Sequence, residues 1–192
     1  RMGTKFSTRI WVGVVGIASI FWGSKGYADT VVSVADFGLK PDTRENAVAY
    51  VQKAIEACRG KEPVTLVFPE GRYDFWPQYA HEKNYYETNT YDVFPKRLAM
   101  LFEGLHNITV DGNGSQFVMH DRIQPITVEN CDGVTLKNFS IDWDIPLTAQ
   151  ARVTKVGSDF FEIGINVLES PYIIEDGKLV FVGEGWKSAL GS

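Results

Sequence analysis

Apolar residues change their spacing several times along this chain, and each change marks a different element. Ala47, Val48, Val51, Ala54, Ile55 and Cys58 follow the i, i+3, i+4, i+7 rule of a helix with one buried face. Thr43 is the expected N-cap of that helix and Gly60 its expected stop. Short apolar runs flank it: VVSVADFGLKPD before, ending in a turn, and VTLVFPEGRYDF after, with a Pro-Glu-Gly turn. Both read as strands.

A repeat follows. Phe102, Leu105, Ile108 and Val110 match Val128, Cys131, Val134 and Leu136 at a constant offset of 26 residues. Glu103 matches Glu129 and Thr109 matches Thr135, so polar positions recur with the apolar ones. At the same offset Phe117 falls on Trp143. Short alternating strands separated by Asn, Gly and Asp turns, repeated at this length, are coils of a stacked solenoid. The pattern predicts a right-handed parallel β-helix, with the amphipathic helix capping its open end. The Asp111-Gly112-Asn113-Gly114 stretch reads as a corner turn, and Glu103 and Glu129 as an outward ladder.

The stretch NFSIDWD carries the last clear strand of this kind. Alternation turns Phe139, Ile141 and Trp143 inward and leaves Asp142 and Asp144 side by side on the outer face, about 6.6 Å apart at Cα. That spacing is permissible for two carboxylates acting on a glycosidic bond. An outer wall also carries such acids without chemistry. Asp142 and Asp144 are therefore candidate substrate-binding residues.

From Leu147 the texture changes. ARVTKV and FFEIGI flank Gly157-Ser158-Asp159 as a hairpin with a three-residue turn, and YIIEDGKLVFV is a second hairpin about Asp176-Gly177. Two hairpins in succession predict a separate antiparallel barrel or sandwich, in which Gly183-Glu184-Gly185-Trp186 reads as a loop. Residues 76–97 show neither period and read as a long polar and aromatic excursion. It either packs its own aromatics down or forms a sugar-facing lip from Tyr79, His81, Tyr85, Tyr86 and Tyr91.

Composition adds compartment and partners. The first 28 residues carry Arg1, Lys5, Arg9 and Lys25 and no acid, followed in part by an uncharged apolar run over residues 10–22. That run is short for a membrane span and suits a signal-peptide core, with cleavage expected between Ala28 and Asp29. An exported protein, periplasmic or secreted, with no stable membrane insertion after cleavage, is the expectation. Cleavage would take the formal net charge from −5 to −9, which disfavours nucleic acid. Cys58 and Cys131 fall on apolar positions and read as buried hydrophobes rather than a bridge. His81, His106 and His120 have no ligand spacing, so no metal or other cofactor is expected.

The segments ADFGLKPD and VTLVFPEGRYDF resemble the opening of pectate-lyase-like right-handed β-helix enzymes. Together with PEGRYDFWPQYAHEK, NITVDGNGSQFV and VTLKNFSIDWDIPLTAQARV, they resemble glycoside hydrolase family 110, the bacterial exo-α-1,3-galactosidases. The resemblance implies an inverting hydrolase, without metal or organic cofactor, that removes terminal α-1,3-linked galactose from blood-group B-type or linear glycans. It also implies a β-barrel domain inserted in the β-helix. The expected organisation is a signal peptide over 1–28, N-terminal coils over 29–147, and the beginning of the barrel over 148–192. By the family pattern the catalytic carboxylates lie in later coils, beyond Ser192, so the chain reads as an inactive N-terminal fragment of an active parent. A homo-oligomer is compatible with this. The alternatives are a polysaccharide lyase on the same fold, disfavoured by few outward basic residues, and a non-catalytic glycan-binding β-helix, disfavoured by the hairpins after Leu147.

Overall fold

The computed structural model describes residues 30–85 and 95–189. The signal-peptide reading, including Ala28 and Asp29, lies outside them, as do Tyr86 and Tyr91. The described residues are mainly β with a single α-helix, α1 (Val48–Cys58). In chain order the first strands are β1 (Thr30–Ser33), β2 (Val64–Val67), β3 (Arg72–Phe75), β4 (His81–Lys83), β5 (Lys96–Glu103) and β6 (His106–Met119). They are followed by β7 (Gln124–Glu129), β8 (Asp132–Trp143), β9 (Arg152–Val156), β10 (Phe161–Gly164), β11 (Tyr172–Glu175), β12 (Lys178–Val182) and β13 (Lys187–Ala189).

Parallel pairing dominates up to residue 143. β1 pairs with β2, β2 with the first half of β6, and β3 with its second half. β8 then runs parallel along both halves of β6, while β5 pairs in parallel with β7 in another sheet. Because the pairing is in register, like residues stack: Val32 on Leu66, Val110 and Leu136, and Tyr73 on Phe117 and Ile141. The inner members of these columns are buried, whereas Leu136 and Ile141 in the last layer are 39% and 38% exposed. Phe117 sits at the centre of an aromatic cluster with Phe68, Tyr73, Phe75 and Phe139.

The corners repeat as well. Gly104 and Asn130 (φ +64° and +50°) and Asn107 and Gly133 (φ +48° and +68°) are left-handed at the 26-residue offset. Asn and Gly tolerate that region better than other residues, which is why they punctuate the repeat.

Several expectations need correcting. Phe117 does not lie on Trp143: it pairs with Ile141, and Trp143 pairs with Met119. The corner of β6 between Asp111 and Ser115 is two residues longer than its counterpart in β8, so the offset falls from 26 to 24. A shift by two preserves the alternation, and Phe139 and Trp143 still pack against the core. Thr43 is not the N-cap either. Asn46 forms a parallel bridge to Asp74, and Ala47 N–H donates to the Asp74 carbonyl, so the chain stays tied to β3 until Val48. The Asn46 side chain accepts from Val48 N–H (3.2 Å), while the Thr43 hydroxyl accepts from Glu45 N–H. Finally, the excursion after Trp76 is not wholly irregular: β4 pairs antiparallel with the start of β5. Its three residues, His-Glu-Lys, are too short and too polar to show a period.

α1 buries Val48, Val51, Ala54, Ile55 and Cys58 against β1, β2 and β5. Beyond residue 147 the strands are antiparallel. β9 pairs with β10 across a loop one residue longer than expected, closed by Gly157 N–H donating to the Phe160 carbonyl. β11 pairs with β12 through Asp176 and Gly177, both at positive φ, as a type I′ turn requires, and β13 adds to β12.

Candidate functional site

Trp76, His120 and Asp144 each follow the last residue of a stacked strand, one position past Phe75, Met119 and Trp143. His120 N–H donates to the Phe75 carbonyl (2.9 Å), and Asp144 N–H to the Met119 carbonyl (3.0 Å), so the register continues through this row. The Trp76 and His120 rings stack 3.8 Å apart at 9°. Arg72 and Asp74, on β3, complete the group.

These side chains form one connected network. Arg72 donates to Asp74 through Nε (3.0 Å) and Nη2 (2.6 Å), and Nη2 also reaches Asp144 at 2.7 Å. Asp74 is fully buried, with none of its side chain exposed, and takes a further contact from His120 Nε2 at 2.9 Å. His120 Nδ1 lies 2.7 Å from Glu184, a residue of the antiparallel segment, and the other Glu184 oxygen accepts from Asp121 N–H. Both ring nitrogens of His120 thus face carboxylates. Arg44 approaches Asp144 at 3.8 Å.

Charge balance sets what each group can do. Burial pushes the Asp74 carboxyl up, but hydrogen bonds from Arg72 and His120 outweigh it and hold the group below the usual carboxylate range. Arg72 is pushed above its ordinary value, chiefly by its bonds to Asp74. Asp74, His120 and Asp144 bring ligand-type atoms within 4.8 Å of one another. The Arg72 guanidinium bridges the two carboxylates there, so the chain itself supplies the positive charge a cation would bring. Asp74 is out of a substrate's reach. Asp144, 36% exposed, can accept hydrogen bonds from a ligand.

Asp142, in register with Val118 and Asp74, is exposed, and its carboxylate accepts from its neighbour Trp143 N–H at 2.8 Å. The two candidates therefore differ: Asp144 is built into the network and Asp142 is not. Trp143 turns inward and donates its indole N–H to the Asp121 carbonyl. An open cleft of about 320 Å³ lies nearby, lined by Arg122, Leu147, Trp186, Lys187 and Ser188.

The Glu103–Glu129 ladder is present, in register, and Lys83 bridges both carboxylates at 2.7 and 2.9 Å. Tyr85 donates its hydroxyl to Glu129. That hydrogen bond, then Lys83, holds Glu129 below its ordinary value. Cys58 and Cys131 are both free thiols, and Cys131 lies under Leu105 N–H. Tyr79 and His81 of the expected lip are exposed.

Sequence reading missed Arg72, Asp74, His120 and Glu184. One signal was available: in GRYDF, Arg72 and Asp74 alternate with Tyr73 and Phe75, placing opposite charges on one face. No spacing announces His120 or Glu184, because the contact between them spans 64 residues.

Comparison with known proteins finds similarity along most of the chain. Residues 149–192 match the GLAA-B beta-barrel domain I. The chain is 61% identical over 85% of its length to an α-1,3-galactosidase B of Bacteroides thetaiotaomicron, of which it covers 26%. It is 37% identical over 83% of its length to an α-1,3-galactosidase A of Shewanella woodyi, again covering 26%. A third relative, an α-1,3-galactosidase B of Phocaeicola vulgatus, is 35% identical over 94% of the chain, with 29% of the relative covered. The chain is thus similar to a segment of these α-1,3-galactosidases, consistent with a fragment of glycoside hydrolase family 110, and spans between a quarter and a third of their length.

Proposed function

We propose that this chain is the N-terminal part of an exported, inverting exo-α-1,3-galactosidase acting on glycans with terminal α-1,3-linked galactose. The single observation that carries the reading is the 61% identity to a curated α-1,3-galactosidase B across 85% of the chain. Its architecture is a right-handed parallel β-helix over residues 29–147, entered after a signal peptide over 1–28, with a β-barrel domain beginning at 148. The in-register parallel columns support the first part, and the barrel-domain match over 149–192 supports the last.

In this reading the stacked strands are a rigid wall and Asp144 is a substrate-binding carboxylate on it, with Asp142 beside it. A carboxylate fixed by Arg72 offers acceptors for sugar hydroxyls. By the pattern of the family the chain resembles, the catalytic acid and base lie beyond Ser192. The test is galactose release from an α-1,3-galactosyl disaccharide by the full-length parent and by residues 29–192 alone. Turnover is expected from the parent only. Turnover by the segment would sink the placement of the acids, and an inactive parent would sink the galactosidase reading.

A further inference from the structure

One line of contacts crosses from the antiparallel segment to the stacked strands. Glu184 meets His120 Nδ1 (2.7 Å), His120 Nε2 meets Asp74 (2.9 Å), Asp74 meets Arg72 (2.6 Å), and Arg72 meets Asp144 (2.7 Å). Every interior member is shielded: the side chains of Asp74, His120 and Arg72 are 0%, 3% and 23% exposed. Trp76 covers the face of the His120 ring, fixing its plane. Arg72 Nη2 bonds both Asp74 and Asp144, so the guanidinium can hold Asp144 only in the orientation that Asp74 sets. Asp74 in turn is positioned by His120, and His120 by Glu184.

We propose that Glu184 and His120 are positioning residues that hold the Asp144 carboxylate in place for substrate, coupling the seating of the antiparallel segment to binding on the stacked strands. The inference rests on the reading of Asp144 as a substrate contact. Arg44 is the other cation near Asp144, but at 3.8 Å and 62% exposed it is the weaker tether. Asp121 bears on the joint through its backbone N–H, which donates to Glu184. Gly185 keeps the loop close: a Cβ there would meet the Asp121 carboxylate at 2.1 Å.

The test is a double-mutant cycle in the full-length protein, with Glu184→Gln, Asp144→Asn and their combination assayed on an α-1,3-linked galactoside. Glu184→Gln is chosen because the residue is partly exposed and the substitution keeps its shape. The expected result is a KM raised about three- to tenfold by Glu184→Gln with kcat little changed, and no further rise in the Asp144→Asn background. Independent KM effects that multiply would overturn the proposal while leaving Asp144 as a substrate contact. An unchanged KM in Asp144→Asn would remove that contact, and the proposal with it. Hydrogen exchange gives a readout apart from activity: residues 142–147 should exchange faster in Glu184→Gln, and unchanged exchange there overturns the coupling.

Discussion

Single residues separate structural from functional acids. Asp74 and Asp144 share one arginine, yet the first is buried and the second is open to solvent. Replacing Asp74 with Asn removes the buried acceptor shared by Arg72 and His120, which keep Asp144 and Glu184 as partners, and should destabilise the full-length protein by about 1–3 kcal/mol at neutral pH. The pH dependence follows from the lowered Asp74 value. Stability from this group is present above its unfolded value, near pH 4, and is lost as pH falls through the folded value below it. The melting-temperature gap between wild type and Asp74→Asn should therefore be wide at pH 7 and narrow below about pH 4. A gap that widens in acid would show that Asp74 is not held as an anion. Burial pushes the Cys58 thiol up to about 11. Cys58 should therefore resist alkylation at pH 8 until the protein is unfolded, as peptide mapping after iodoacetamide would read. Phe117→Ala removes the centre of the aromatic cluster and should cost about 3–5 kcal/mol in a denaturant melt.

At the scale of elements, periodicity carried most of the information. The helical face from Ala47 to Cys58, the parallel pairing of β6 with β8, and the Asp176-Gly177 hairpin were all legible, because each depends on local spacing or on one repeat length. The exceptions have physical causes. Thr43 looks like an N-cap by residue type, but the Asn46–Asp74 bridge keeps the chain out of the helix until Val48. Phe117 looked aligned with Trp143 because a constant offset cannot register the longer corner at Asp111–Ser115. The network around His120 was illegible since it joins four elements far apart in sequence, and only Arg72 and Asp74 lie near each other in the chain. Corners offer a test of the repeat itself. At Gly133, φ is +68° and a Cβ would meet Asn107 Oδ1 at 2.6 Å. Gly133→Ala should lower stability by about 1–3 kcal/mol, whereas Asn130→Gly, at φ +50°, should be tolerated. Equal effects at the two corners would mean that their left-handed geometry is not what the repeat needs.

At the scale of the molecule, two kinds of sheet meet in one chain, and His120–Glu184 is one of the contacts that join them. The last stacked layer leaves Val128, Leu136 and Ile141 exposed, and Val153, Phe161, Leu168 and Ile174 are exposed in the antiparallel segment. Apolar surface of that extent suits continuation by further coils and by the remainder of a barrel. Residues 29–192 by themselves should accordingly unfold with low cooperativity or aggregate, and a sharp, reversible monomer transition would contradict this. The central claim concerns the parent enzyme, and anomeric proton NMR tests it most directly. Full-length protein incubated with an α-1,3-linked galactosyl disaccharide should release galactose first as the β-anomer, as inversion at the scissile bond requires. Galactose appearing first as the α-anomer, or no release at all, would contradict the account.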